Sequence, residues 1–459
     1  MSVQKEHAIA IVQRLRECGY QAYLVGGCVR DLLLGREPAD YDVSTDATPA
    51  EVMRLFPQTY AVGAQFGVVL VPIPGLKDTT ALASEVDTGE QLSGHPNVIE
   101  VATFRSDIGY SDGRHPDHVR YSKDPRQDVE RRDFTINGLM LDPLTNEVLD
   151  FVGGRKDLDS HVIRTIGDPE RRFSEDKLRL LRAIRFAARF DYKIDPATFL
   201  AIQALAHEIH QVSRERIRDE LTKLLTEGKG RQAFLLLEKS GLLFELLPEV
   251  AAMKGVAQPP QFHPEGDVFV HTLLLLEKLP QPCPRTLAWG ALLHDVGKPP
   301  TFRVAPDRIR FDGHVEVGIK MAEEICRRLR FSNDDTEQIL ALIANHMRFA
   351  DVQRMKESTL KRFLRLPRFE EHLELHKIDC QSSHGDLTSY KFTSEKFNET
   401  PPEQIRPAPL ITGRDLIAAG YKPGPRFKEI LSSVEDLQLE GRIETRDQAL
   451  GFVQREFPL

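Results

Sequence analysis

Between Tyr23 and Thr45 the chain reads YLVGGCVRDLLLGREPADYDVST, placing two glycines, an arginine and two aspartates close together. Side chains alternate along an extended strand, so Asp40 and Asp42 would present two carboxylates on one face, a few ångströms apart. Like charges so placed need a cation. Magnesium, a hard oxygen-seeking ion, suits them when substrate phosphates complete its shell, and two such ions can activate one oxygen while stabilising a leaving one. Gly26 and Gly27 end a strand and open the helix CVRDLLLG, where missing side chains let a phosphate approach backbone N–H groups. Arg30, on the first turn, is placed to pair with that phosphate. Singly, the glycines read equally as a tight turn and the aspartates as a solvated strand end; their combination favours the metal and phosphate reading.

The stretch LVGGCVRDLLLGREPADYD resembles the signature of class II tRNA nucleotidyltransferases and the related bacterial poly(A) polymerases, within the polymerase-β-like superfamily. The resemblance implies a palm in which Asp40 and Asp42 bind two magnesium ions, with Gly27 and Arg30 on the nucleoside triphosphate. A third carboxylate on a neighbouring strand would complete such a site. Glu100, which interrupts the apolar run NVIEVATF, is the candidate, and an edge-strand glutamate in solvent is the equal alternative.

The segment RRDFTINGLMLDP, from Arg131 to Pro143, reads in isolation as the start of a helix with Asp133 as N-cap. It also resembles the family's second motif, which implies that Arg132 and Asp133, together with Asn137, contact the sugar and phosphates of the incoming nucleotide. In SEDKLRLLRAIRFAARF, helical periodicity gathers Leu180, Leu181, Ile184, Ala187 and Ala188 on one arc and Arg179, Arg182, Arg185 and Arg189 on another. Ser174 is the expected N-cap, with Glu175 and Asp176 at the positive helix start. Four arginines on one face call for phosphates or carboxylates opposite, the alternative being a solvated face. EDKLR resembles the family's EDxxR motif, which implies that Asp176 and Arg179 imitate a base-pairing partner, with Arg182 and Arg185 nearby. A carboxylate accepts from an exocyclic amine and a guanidinium donates to ring acceptors, so cytosine and adenine are both satisfied. Uracil and guanine present a carbonyl there instead.

Farther along, His271, His294, Asp295, His314, His346 and Asp379 lie on mainly helical segments. A His–Asp pair beside VGK, with further histidines before and after, resembles the HD-domain metal phosphohydrolases. Mn, Fe, Co or Ni suits imidazole plus carboxylate ligands. The resemblance implies 2′,3′-cyclic phosphates or phosphomonoesters as substrates.

These residues need scaffolds. AYLV, YDVST, FGVVLVPI and NVIEVATF predict strands, and CVRDLLLG and TPAEVMRLF predict helices. From Asp168 onward helix signals dominate. Gly75–Pro96 reads as an insertion in the palm. GYKPGP, between two C-terminal helices, is a basic turn compatible with RNA phosphate contact or with a packing hairpin. At 459 residues several domains are expected, and the net charge of −8 argues against nonspecific wrapping of nucleic acid. Five scattered cysteines show no CxxC spacing and read as reduced thiols. No run matches a membrane helix or a secretory signal, so a cytoplasmic location is expected.

The expected fold class is α+β: a nucleotidyltransferase palm with a mixed sheet (1–155), then an all-α neck for base recognition and RNA binding (156–253), an HD domain (254–395) and a helical tail (396–459). The expected function is template-independent addition of C, C and A to the 3′ end of tRNA from CTP and ATP. Magnesium is expected in the palm and a transition metal in the HD domain, with no membrane and no obligatory protein partner. The rivals are A-only, CC-only or poly(A) addition and, from another class, an HD phosphohydrolase with an RNA-binding palm.

Overall fold

The computed structural model describes residues 2–60, 67–74, 97–108, 118–261 and 263–459; the predicted insertion Gly75–Pro96 lies outside the described residues. The chain divides into two compact units, Met1–Leu224 with Gln232–Leu246, and Leu225–Arg231 with Leu247–Leu459.

The first unit is built on a six-stranded sheet. Its strands are β1 (Ala22–Val25), β2 (Asp42–Thr45), β3 (Val68–Pro72), β4 (Val98–Thr103), β5 (Leu139–Asp142) and β6 (Glu147–Asp150), ordered β3-β4-β2-β1-β5-β6. All neighbours are antiparallel except β2 and β4, which run parallel. Helix Gly27–Leu33 follows β1, and helix Pro49–Leu55 follows β2 behind a Thr48/Glu51 capping box. An additional helix, Val3–Glu17, is capped by Ser2 and buries Ala8, Ile11, Val12 and Leu15 at helical spacing.

Three expectations are corrected. Asp40 precedes β2, which begins at Asp42, so the two aspartates are not partners on one strand. The segment after Asp133 forms a single 3-10 turn, Thr135–Asn137, and then β5 rather than a helix. There LMLD finds a ready partner in β1, and Asp133 is not an N-cap. The arginine-rich helix is broken in two: Pro169–Glu175, capped by Asp168, and Leu178–Phe190. Asp176 sits between them in extended conformation and accepts from the Leu178 N–H, just ahead of Lys177, the N-cap of the second helix, and Ser174 lies inside the first. The apolar arc is as expected: Leu180, Leu181, Ile184, Ala187 and Ala188 are all buried.

The second unit is helical apart from a two-stranded pair, Arg303–Val304 with Ile309–Arg310. Helices Val268–Glu277, Arg285–Leu293, His314–Arg328, Asn333–Asn345 and Phe369–Ser382 carry its polar centre. Gly297, at the head of the short helix Lys298–Thr301, lets that turn meet the helix His314–Arg328: a Cβ there would stand 2.1 Å from the His314 carbonyl oxygen. Phe349, Phe363 and Phe369 form one apolar cluster, and Leu416, Ile430 and Val453 anchor another in the C-terminal helices. In the GYKPGP turn Tyr421 is buried and donates to the Phe457 carbonyl at 2.8 Å, while Lys422 is exposed. Among the described residues no helix is long and apolar enough to cross a membrane.

Candidate functional site

The sheet register decides the first centre. In the parallel pairing of β2 with β4, Asp42 and Glu100 are direct neighbours. β4 is flanked by β3 as well, so Glu100 is not on an edge strand. The two carboxylates line a cleft of about 230 Å³ with Arg105, Arg131 and Arg132. Asp40, from the preceding loop, joins Asp42 in an adjoining cavity of about 570 Å³. Desolvation, then Glu100 and then Asp40, holds the Asp42 carboxyl well above the usual carboxylate range. Glu100 is raised too, chiefly by burial, against the pull of Arg132. Acids that resist ionising together are a donor set short of positive charge, which a hard divalent cation supplies.

The larger cavity collects the other predicted residues of this unit. Gly26, Gly27, Arg30, Arg132, Asp133, Asn137, Asp176, Arg179, Arg182 and Arg185 all line it. Gly26 has a φ of +73° and lies so close to Arg132 that a Cβ would stand 2.8 Å from Nη1, so only glycine fits. Arg30 stands on the helix Gly27–Leu33 and lines this cavity. It is buried, donates to Asp31 at 2.8 Å and to Asn137 Oδ1 at 2.6 Å, and lies over the Phe190 ring. Asp133 accepts from Arg182 Nε and Nη2 at 2.9 and 2.7 Å, from Asn137 at 3.1 Å and from the Phe134 N–H at 2.8 Å. Although burial opposes it, Arg182 leads the groups that hold this carboxyl far below its usual range.

The arginine face is answered by carboxylates. Arg185 pairs with Glu220 at 2.5 Å and Arg179 with Glu175 at 2.8 Å. Arg179 also donates to the carbonyls of Arg172 and Arg131. Asp176 accepts from Leu178 N–H on Oδ1 and from Arg216 at 2.9 Å on Oδ2. Each carboxylate oxygen keeps a second lone pair, so Asp176 can still accept from a base.

In the second unit all six predicted side chains converge. Asp295 Oδ2 lies 3.2 Å from His294 Nε2 and 3.9 Å from His271 Nε2, while Oδ1 lies 3.8 and 3.9 Å from Nε2 of His314 and His346. Asp379 Oδ1 is 3.1 Å from His271 Nε2. The tautomers follow from the outer contacts. Nδ1 of His294, His314 and His346 faces the carbonyls of Ala291, Phe311 and Ile343 at 2.9, 3.0 and 2.7 Å. A carbonyl only accepts, so each Nδ1 carries the proton and each Nε2 turns a lone pair inward. These buried Nε2 atoms have no hydrogen-bond partner among the described residues. Inward lone pairs with carboxylates between them fit a borderline transition metal. Among the described residues three groups have ligand atoms close enough to hold an ion: His263, Glu265 and His271; His271, His294 and Asp379; and Asp295, His314 and His346.

Known proteins share this chain's domains and fold. Family models match a poly A polymerase head domain at residues 22–164, a probable RNA and SrmB-binding site of polymerase A at 191–254, and an HD domain at 267–377. The CCA-adding enzyme of Lactobacillus helveticus is 30% identical over 448 residues, covering 96% of this chain and 95% of that one. The chain belongs to the CCA-adding enzyme family. Another CCA-adding enzyme, from Lactococcus lactis subsp. lactis, is 40% identical over 248 residues, 54% of this chain and 57% of its own. The Bacillus stearothermophilus CCA-adding enzyme in complex with CTP matches with a TM-score of 0.72 at 25% identity, over 99% of this chain and 98% of that one. The Thermotoga maritima CCA-adding enzyme complexed with tRNA, 19% identical, shares the fold with a TM-score of 0.58 over 98% of this chain and 94% of that one.

For a CCA-adding enzyme family member, several site residues were not anticipated from sequence. Asp128 binds Arg131 and Arg132 from below, Arg216 holds Asp176, and Glu220 holds Arg185. Asp128 had a readable signal, standing three and four residues before the two arginines. In the second unit Glu265 Oε1 lies 2.7 Å from His271 Nδ1 and 2.9 Å from His263 Nδ1, and Lys298 Nζ lies 2.7 Å from Asp295. His263 and Glu265 come from a loop that reads only as a domain boundary.

Proposed function

We propose that this chain adds C, C and A to the 3′ end of tRNA from CTP and ATP without a nucleic-acid template, working in the cytoplasm. The observation that carries the reading is the convergence, around one cavity, of Asp40 and Asp42 with Arg132, Asp133, Asp176 and Arg179. In the division we propose, the palm spans 1–155, the neck 156–253, the HD domain 254–395 and the tail 396–459.

The acceptor 3′-hydroxyl attacks the α-phosphate in line and pyrophosphate leaves. Asp40, Asp42 and Glu100 would hold magnesium, whose charge would lower the pKa of that hydroxyl and offset the charge on the leaving group. Arg132 and the Asp133–Arg182 pair orient the triphosphate and sugar, with Gly26 and Gly27 leaving room for the phosphates. Asp176 accepts from the exocyclic amine of cytosine or adenine while Arg179 donates to a ring acceptor. Uracil and guanine would set a carbonyl acceptor against the Asp176 acceptor, where neither has a proton to donate.

A second activity is favoured by the inward Nε2 lone pairs of His294, His314 and His346 beside Asp295, with His271 and Asp379 adjoining. This centre, loaded with Mn, Fe, Co or Ni, would hydrolyse 2′,3′-cyclic phosphates or phosphomonoesters. Paired variants test both assignments. Asp42→Ala should abolish CTP incorporation into tRNA and keep hydrolysis of 2′,3′-cyclic AMP, and Asp295→Ala should do the reverse. Incorporation persisting in Asp42→Ala would overturn the palm assignment.

A further inference from the structure

Asp128 lies under the palm site and touches none of the predicted nucleotide contacts except Arg132. Its side chain is fully buried. Oδ1 accepts from Arg131 Nε and Nη2 at 3.0 and 2.7 Å; Oδ2 accepts from Arg132 Nη2 at 3.2 Å and from Ser44 Oγ at 3.1 Å. Ser44 stands two residues after Asp42 on β2 and therefore on the same face. Arg132, in turn, lines the cleft that holds Asp42 and Glu100. Its Nη1 packs on Gly26, the residue following Val25, and Val25 pairs with Asp42 across β1 and β2.

Arg132 thus stands between two sets of acids. A largely buried guanidinium needs a carboxylate beside it. With Asp128 in place that demand is met from below, and Asp42 and Glu100 keep their oxygens for a cation. With Asp128 neutral, Arg132 still shares the cleft with Asp42 and Glu100, the carboxyls its charge already acts on, and an arginine paired to them competes directly with the ion.

We infer that Asp128 is a positioning residue that restrains Arg132 and so keeps Asp42 and Glu100 available to magnesium. Resting on the palm assignment proposed above, it goes beyond that reading by giving a buried acid, outside the metal site, control over metal affinity. Ser44 steadies the restraint through its bond to Oδ2.

The test is a titration of the full-length chain with Mn²⁺ as the probe, without nucleotide, following free ion by electron paramagnetic resonance. The binding lost in Asp42→Ala defines the palm's share, the histidine centre contributing equally to both proteins. For that share, Asp128→Asn should raise the half-saturating Mn²⁺ by about ten- to hundredfold, the range for residues that orient metal ligands. Adding Arg132→Gln to Asp128→Asn should move it back toward the parent value, which a merely structural role for Asp128 would not produce. Ser44→Ala, which removes only a hydroxyl, should shift it in the same direction by less and serves if Asp128→Asn fails to fold. Unchanged palm binding in the folded variants, or a loss that Arg132→Gln does not recover, overturns the inference. A palm share absent from the parent as well would instead overturn the assignment beneath it.

Discussion

Asp42 and Glu100 are neighbours across the parallel pairing of β2 and β4, and after burial the Glu100 charge helps hold the Asp42 carboxyl above its usual range, a demand that a cation would relieve. Neither residue is near the other in sequence. The register alone turns a glutamate in an apolar strand into the partner of the DxD aspartate.

Glu100→Gln keeps the shape of the side chain and removes its charge. We expect incorporation of CTP into tRNA to fall by about a hundredfold or more with the circular dichroism spectrum unchanged. A rate within a few-fold of the parent would remove Glu100 from the metal site.

Base choice should depend on Arg179 more than metal binding does. In Arg179→Ala, the preference for CTP and ATP over UTP and GTP should shrink by about tenfold or more, while the magnesium dependence stays close to that of the parent. Single-turnover incorporation of each nucleotide measures this, and retained selectivity would contradict the base-reading role of the Asp176–Arg179 pair.

The histidine centre should copurify with a transition metal at near-stoichiometric level. Asp295 faces all four imidazoles, so Asp295→Ala should lose most of that metal while His372→Leu, outside the centre, keeps it. Elemental analysis of the purified proteins decides, and equal metal in parent and Asp295→Ala would refute the ligand set.

Acid sensitivity has a separate source. His372 is 1% exposed, and neither ring nitrogen has a hydrogen-bond partner among the described residues. Burial, with Arg348 adding to it, pushes its pKa down to about 4 from 6.5. The unfolded chain takes up this proton first, so the contribution is complete above about pH 6.5 and is lost as pH falls toward 4, roughly 3 kcal/mol across the window. His376, stacked on Phe349 at 4.2 Å, is likewise pushed down to about 4 by burial. His372→Leu should therefore lose less thermal stability than the parent between pH 7 and pH 5; parallel losses would contradict this origin.

Much of this arrangement was legible because it is written in local patterns. AYLV coincides with β1, and the apolar arc from Leu180 to Ala188 is buried as its periodicity requires. The six HD side chains, far apart in sequence, meet around Asp295. What was not legible depends on partners distant in the chain. LMLD became a strand because β1 offered an edge, and the helix break at Asp176 reflects a side chain capping Leu178 instead of continuing the turn. Asp40 lies outside β2 yet faces the same cavity as Asp42, so the carboxylates converge by loop geometry rather than strand alternation. Arg216 and Glu265 act on side chains distant in sequence, and no spacing rule announces such a residue.

The central claim is most directly tested with purified full-length protein, magnesium and three tRNA transcripts, ending before CCA, after C and after CC. Each is offered CTP, ATP or both, and the products are resolved at single-nucleotide length. The account predicts growth of all three to CCA, followed by a stop. Addition of A only to the CC-ending transcript, a halt after CC, a long ladder of A, or no incorporation at all would contradict it.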